Sequence, residues 1–213
     1  MGLSAGSLLA GLLAVPYREA ELESGKLTAE SCTSMRLFIG IPMAEAVVQE
    51  LASVRAHLER PADGLRWSAP ESWHITLQFL GNTAPDQYKC AVAGLHAVVS
   101  LLVPIKLERL GFFDHAGVFF ASVLLSPELI ALEQQVVAAT SKCGFIPETR
   151  PYHPHITLAR NRGQSNGIRQ LKTTILPEPR FPAFAAREFL LYESFPNSTG
   201  SRYEIRERFI FAA

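Results

Sequence analysis

Cysteine is scarce in this chain: Cys32, Cys90 and Cys143 are the three among 213 residues. They are odd in number and far apart, so their spacing suggests neither a disulfide framework nor a metal knuckle, and a reducing cytoplasm is the expected compartment. No apolar run reaches the roughly 18 residues that a membrane span requires, and no membrane partner is expected. Leu3 to Pro16 is apolar and rich in small residues. No basic region leads it and no small-x-small cleavage site follows it, which argues against a secretory signal. Net charge is also lacking, with 20 Lys and Arg against 20 Asp and Glu. That balance averages unlike regions. Arg18 and Lys26 face Glu19, Glu21, Glu23 and Glu30 early in the chain, whereas residues 142–187 carry eight basic side chains against Glu148 and Glu178. A basic face late in the chain suits a phosphate-bearing partner, although each of these residues alone also reads as solvated surface.

What is present is a large apolar fraction, 48%, enough for a full core in one domain or two closely packed lobes. Residues 1–34 show no strong periodicity and read as a disordered or weakly helical extension, with the domain proper over residues 35–213. Arg36 to Ile41 reads as a buried strand ended by Pro42. Val47, Leu51, Val54 and Leu58 recur at helical spacing. A short strand is expected at Leu65 to Trp67 and a longer one from Trp73 to Leu80, broken by Gly81. Pro85 opens a helix with the stripe Tyr88, Val92, Leu95 and Val99. Two strands follow over residues 104–112 and 118–125 as a hairpin. Ser126 and Pro127 read as N-cap and first residue of a helix closed by Gly144. A strand from His153 to Ala159, a short helix near Ile168 to Thr173, and two alternating strands close the chain. Hairpins and short connections among interleaved helices imply an α+β fold with antiparallel or mixed sheets, not a doubly wound parallel one.

One string occurs twice: His-Ile-Thr-Leu at residues 74–77 and again at 155–158. Side chains alternate along a strand, so His74 and Thr76 share one face, as do His155 and Thr157, with apolar residues behind them. The repetition implies pseudo-symmetric halves, with the two strands brought together about a twofold axis. Paired histidines suit phosphodiester chemistry near neutral pH, one as base and the other, protonated, as acid. Threonine hydroxyls can hydrogen-bond the non-bridging phosphate oxygens as charge develops on them.

The two His-x-Thr-x motifs resemble those of the 2H phosphoesterase superfamily. With Met35 to Ile39, Leu65-Arg66-Trp67, Trp73 to Gly81, Pro154 to Arg160, Tyr192-Glu193-Ser194 and Gly200 to Tyr203, the chain is similar to the RNA 2′,3′-cyclic phosphodiesterase branch, also called the 2′-5′ RNA ligase family. The resemblance covers residues 35–213. It implies a bilobal fold whose sheets line a central cleft with helices outside, and hydrolysis of an RNA-terminal or nucleotide 2′,3′-cyclic phosphate to a 2′-phosphate. It further implies His74 as proton donor, His155 as proton acceptor, Thr76 and Thr157 as phosphate ligands, no cofactor, and a monomer acting on RNA ends or cyclic nucleotides. Alternatives are 2′-5′ ligation of RNA, action on a small cyclic nucleotide, or a non-catalytic RNA-binding or nucleotide-binding module. The last leaves two titrating groups unexplained.

Arg160 matches a basic position after the second motif in this branch. Strict alternation places it opposite His155, so it binds phosphate only if the strand twists or ends first. His153 shares parity with His155 and reads as a surface histidine at a strand end. Zinc binding by His74, His153 and His155 would leave the threonines unexplained and finds no carboxylate or cysteine ligand. Phe38 reads as core, with base stacking as the alternative, and His57, His96 and His115 as ordinary surface or helix residues.

Overall fold

A computed structural model describes residues 34–197 and 200–212. Of the extension expected over residues 1–34, all but Ser34 lies outside the described residues. In chain order the elements are β1 (Met35–Pro42), α1 (Glu45–Leu58), β2 (Leu65–Trp67), a 3-10 turn (Pro70–Ser72), β3 (His74–Thr83), α2 (Pro85–Leu95), β4 (Val103–Ile105), β5 (Leu107–Phe113), β6 (Val118–Val123), α3 (Pro127–Ser141), β7 (His155–Asn161), α4 (Gly167–Leu171), β8 (Phe184–Ala186), β9 (Glu188–Asn197) and β10 (Gly200–Ile210). The fold is α+β. One four-stranded sheet has the order β10-β9-β1-β3, a second has the order β2-β7-β6-β5, and β4 pairs with β8. Among the described residues every pairing is antiparallel, and each of the two four-stranded sheets carries one of the motif strands, β3 or β7.

The predicted stripe of α1 is the observed one: Val47, Leu51, Val54 and Leu58 are buried, each contributing about 1.5–3 kcal/mol by leaving water. They join Leu37, Ile39 and Ile41 of β1, Ile75 and Leu77 of β3, and Phe119 and Ile156 of the other sheet in one contiguous core. Helix α3 starts as its sequence implies, with the Ser126 hydroxyl accepting from the Leu129 amide at 3.2 Å and Pro127 in the first helical position.

Several expectations are corrected. Helix α2 stops at Leu95 and leaves Val99 71% exposed, because beyond Leu95 the stripe has no partner to bury it and the β-branched pair Val98-Val99 favours leaving the helix. Strand β3 does not break at Gly81. That glycine takes φ +70° inside a register shift against β1 and lets pairing continue to Thr83. The expected strand over residues 104–112 is divided at Lys106 between β4 and β5. Cys90 on α2 and Cys143 just after α3 form a disulfide with Cα atoms 5.7 Å apart. Fifty-three residues of separation hid this pairing, which the packing of α2 against α3 brings about. The cysteine pattern therefore gives no argument for a reducing compartment. No helix among the described residues is long and apolar enough to cross a membrane.

Strands β3 and β7 share one further feature. Against β1, Thr76 pairs with Gly40 and Gln78 with Ile39, leaving Leu77 unpaired. Against β6, Thr157 pairs with Phe120 and Ala159 with Phe119, leaving Leu158 unpaired. Each bulge buries two successive residues, Leu77 with Gln78 and Leu158 with Ala159. It also returns the next residue, Phe79 or Arg160, to the face of the histidine and threonine.

Candidate active site

His74 and Thr76 are half-buried on β3 while Ile75 and Leu77 lie in the core, and β7 repeats this with His155 and Thr157 over Ile156 and Leu158. Both imidazoles are anchored alike. His74 Nδ1 lies 2.7 Å from the Ser72 carbonyl, presented by the 3-10 turn, and His155 Nδ1 lies 2.8 Å from the His153 carbonyl. A carbonyl oxygen only accepts, so Nδ1–H is the donor in each ring and Nε2 is left to exchange protons. A neutral ring held this way offers a base at Nε2, and a protonated one offers an acid at the same atom.

Aromatic rings wall each histidine. Around His74 stand Phe38, Tyr203 and Tyr192, with ring centroids at 4.6, 5.3 and 5.7 Å. Around His155 stand Phe113 and Phe120 at 5.0 and 5.5 Å. Phe38 is buried at 3% exposure but lies outside the main core cluster. It is buried as the core reading expects, forms the floor beneath His74, and is not an open platform for a base. Gly40 is part of this enclosure, since a Cβ there would meet the Ile75 carbonyl at 2.8 Å and the His74 ring at 3.2 Å.

Enclosure shapes the titration. Desolvation is the largest influence on His74 and, with the nearby positive charges of His155 and Arg160, outweighs the Ser72 hydrogen bond and lowers its pKa to about 4. His155 is lowered for the same leading reason, with Arg160 and His153 adding to it. An anion placed between the rings opposes these shifts by cancelling the positive field.

Because of the bulge at Leu158, Arg160 lies on the cleft face, and its Nη2 is 3.4 Å from Thr157 Oγ1. Alternation alone pointed it the other way. His153 contributes its backbone carbonyl, while its side chain is exposed. His57, His96 and His115 are exposed, as expected. Among the described residues no three His, Cys, Asp or Glu side chains converge as a metal site would need. Tyr152 was not singled out by sequence, yet its hydroxyl donates to the Thr76 carbonyl at 3.1 Å and links the two motif segments. The roles of Tyr192 and Tyr203 beside His74 were likewise invisible, since β9 and β10 are more than 100 residues from it in the chain. A lone glycine in a buried strand, by contrast, marks Gly40 as a place of close approach.

The family model for LigT-like phosphoesterases matches residues 41–120 and again residues 124–203, so each match holds one His-x-Thr strand. A Bacillus subtilis protein named RNA 2′,3′-cyclic phosphodiesterase is 32% identical over 137 residues, covering 62% of this chain and 74% of that one. An Escherichia coli protein of the same name is 27% identical over 161 residues, covering 75% of this chain and 86% of that one. Among solved structures, Escherichia coli LigT complexed with 3′-AMP superposes with a TM-score of 0.72 at 24% identity, over 84% of this chain and 99% of that chain. That likeness speaks to the fold. A Thermus thermophilus protein gives a TM-score of 0.70 at 25% identity, over 83% of this chain and 98% of that one. Two tandem matches, each centred on a strand whose histidine is anchored in the same way, make this chain a member of the LigT-like phosphoesterase family.

Proposed function

We propose that the chain hydrolyses 2′,3′-cyclic phosphate at RNA ends or on nucleotides, leaving a 2′-phosphate, without a metal ion. The observation that carries this reading is the pair of imidazoles, each with Nδ1 fixed to a carbonyl, Nε2 free and a threonine hydroxyl alongside. The relatives named RNA 2′,3′-cyclic phosphodiesterase support it. His155 Nε2 takes a proton from water as the oxygen attacks phosphorus. The bond from phosphorus to the 3′ oxygen breaks, and that oxygen takes the proton from His74 Nε2. Thr76, Thr157 and Arg160 hold the non-bridging oxygens as negative charge builds on them. Return of a proton from His155 to His74 through solvent resets the pair. Both motif strands come from one chain, so the reaction needs no second copy, and the protein acts as a monomer.

The test is incubation with a nucleoside 2′,3′-cyclic phosphate and a cyclic-phosphate-ended oligonucleotide in excess chelator, with products assigned by phosphorus NMR. The expected product is the 2′-phosphate at an undiminished rate. A 3′-phosphate product, or activity that is lost on chelation and restored by zinc, contradicts the scheme.

A further inference from the structure

Beside the histidines lies a pair of cations of which the proposed hydrolysis uses only one, Arg160, and leaves Arg66 without a role. Strands β2 and β7 pair antiparallel with Arg66 directly opposite Arg160, so the two side chains leave the sheet on the same face with Cβ atoms about 4.5–5.5 Å apart. Like charges in that relationship destabilise a sheet. Among the described residues no acidic side chain forms an ion pair with either guanidinium. At Arg160 desolvation is the main influence lowering the proton affinity; Tyr203 opposes it, and the charge of Arg66 adds a smaller lowering. A fold that keeps two facing cations without a carboxylate between them is completed by an anion.

The space for that anion is a cavity of about 390 Å³, lined by Arg66, Ser68, Ser72, Arg160, Arg202 and Tyr203 among others. Two of its lining residues also contact the motif side chains. Ser72 holds His74 with its carbonyl, and Arg160 reaches Thr157. Glu71 is the one acidic residue in the lining. Arg202 is already engaged, paired with Glu204 and lying over the Phe195 ring at 4.9 Å. Arg66 is thus the cation available to a ligand that extends out of the catalytic centre.

We propose that Arg66 and the cavity beneath it bind a second phosphate, the one on the 5′ side of the nucleotide whose cyclic phosphate lies between the histidines. In an RNA chain this is the last internucleotide phosphate, so the cavity selects RNA ends over isolated cyclic nucleotides. Arg160 is shared between the two phosphates and Arg66 serves the outer one. The proposal rests on the phosphodiesterase reading for the placement of the inner phosphate.

The test measures binding of two inert ligands to the full chain by calorimetry. One is a nucleoside 3′-monophosphate, and the other is the nucleoside 3′,5′-bisphosphate that adds only the 5′ phosphate. Native protein is expected to bind the bisphosphate about 10-fold or more tightly, the worth of one charge-assisted contact. Arg66→Gln should reduce that advantage to about twofold or less, with part of it recovered in Arg66→Lys. Equal binding of the two ligands by native protein, or an advantage that survives in a folded Arg66→Gln protein, overturns the subsite. A cyclic-phosphate-ended dinucleotide assayed beside the mononucleotide separates the two claims. If native protein cleaves neither, the phosphodiesterase reading fails while the binding comparison still decides the subsite. If it cleaves both with equal kcat/KM, the subsite fails and the reading stands.

Discussion

The Tyr152 hydroxyl donates to the main-chain carbonyl of Thr76 at 3.1 Å, so the segment that leads into the second motif strand is tied to the middle of the first. Tyr152 is half-buried against the core, and desolvation raises the pKa of its phenol, so it remains a donor throughout the working pH range. Removing the hydroxyl leaves the aromatic packing in place and takes away one link between the sheets.

Tyr152→Phe is therefore expected to lose about 0.5–1.5 kcal/mol of stability and to lower kcat more than it changes KM. The hydroxyl is spent on the Thr76 carbonyl, so its loss should act through the spacing of the two motif strands and not through substrate binding. Urea denaturation and steady-state kinetics on a 2′,3′-cyclic nucleotide check this. Unchanged kcat together with unchanged stability would show that the link is idle.

Arg160 Nη2 and Thr157 Oγ1 lie 3.4 Å apart on one face of β7, and the proposed reaction has both hold the same phosphate. Arg160→Ala should lower kcat/KM by about 10²–10³-fold, the range for losing one charge-stabilising donor. Arg160→Lys should recover only part, because an ammonium lacks the planar fork. Thr157→Val should lower turnover while the shape of the pH profile persists, since a hydroxyl does not titrate there. Arg160→Ala with near-native kcat/KM would place that side chain away from the reacting phosphate.

The pH dependence follows from the enclosure of the histidines. In the free protein His74 is lowered to about 4 and His155 also lies below the ordinary 6.5. The proposed reaction needs one ring neutral and the other protonated. The required proton is lost as pH rises past these values, and the required base is lost as pH falls below them. The bell in kcat/KM, which reports free protein, should therefore peak on the acid side of 6.5, with limbs that belong to the coupled pair. Bound phosphate raises both affinities, so the kcat profile should lie at higher pH than that of kcat/KM. A kcat/KM maximum well above pH 7 would contradict this.

The Cys90–Cys143 bridge closes a 53-residue separation, and its removal should cost about 2–4 kcal/mol. It joins α2 to the end of α3, and α3 meets β3 on the core side, where Thr140 Oγ1 donates to Gln78 Oε1 at 2.7 Å. His74 lies on the other face of β3. Cys90→Ser with Cys143→Ser should therefore lower the melting temperature and leave kcat little changed. An unaltered melting temperature, or a collapse of kcat in a folded double variant, would count against this placement.

Much of this organisation is legible in the sequence. Alternation in His-Ile-Thr-Leu correctly separates the cleft face from the core face, and the stripe of Val47, Leu51, Val54 and Leu58 locates α1 because both patterns are local. What is missed depends on partners distant in the chain. Nothing in Thr157-Leu158-Ala159-Arg160 announces a bulge, since the unpaired residue is defined by β6, and so parity misdirects Arg160. Gly81 reads as a strand break because its positive φ serves equally in a turn and in a bulge. Cys90 and Cys143 carry no signal until α2 and α3 pack. Tyr192 and Tyr203 reach His74 only through the pairing of β9 with β1 and β10.

The most direct test of the central claim, two histidines acting together as acid and base, is the rate of hydrolysis of a 2′,3′-cyclic-phosphate RNA end by His74→Ala, His155→Ala and the double variant. Each single replacement should remove about 10²–10⁴-fold of turnover. The double replacement should cost far less than the product of the two losses, because both groups serve one transition state. A folded His74→Ala or His155→Ala protein that retains near-native turnover would contradict the account.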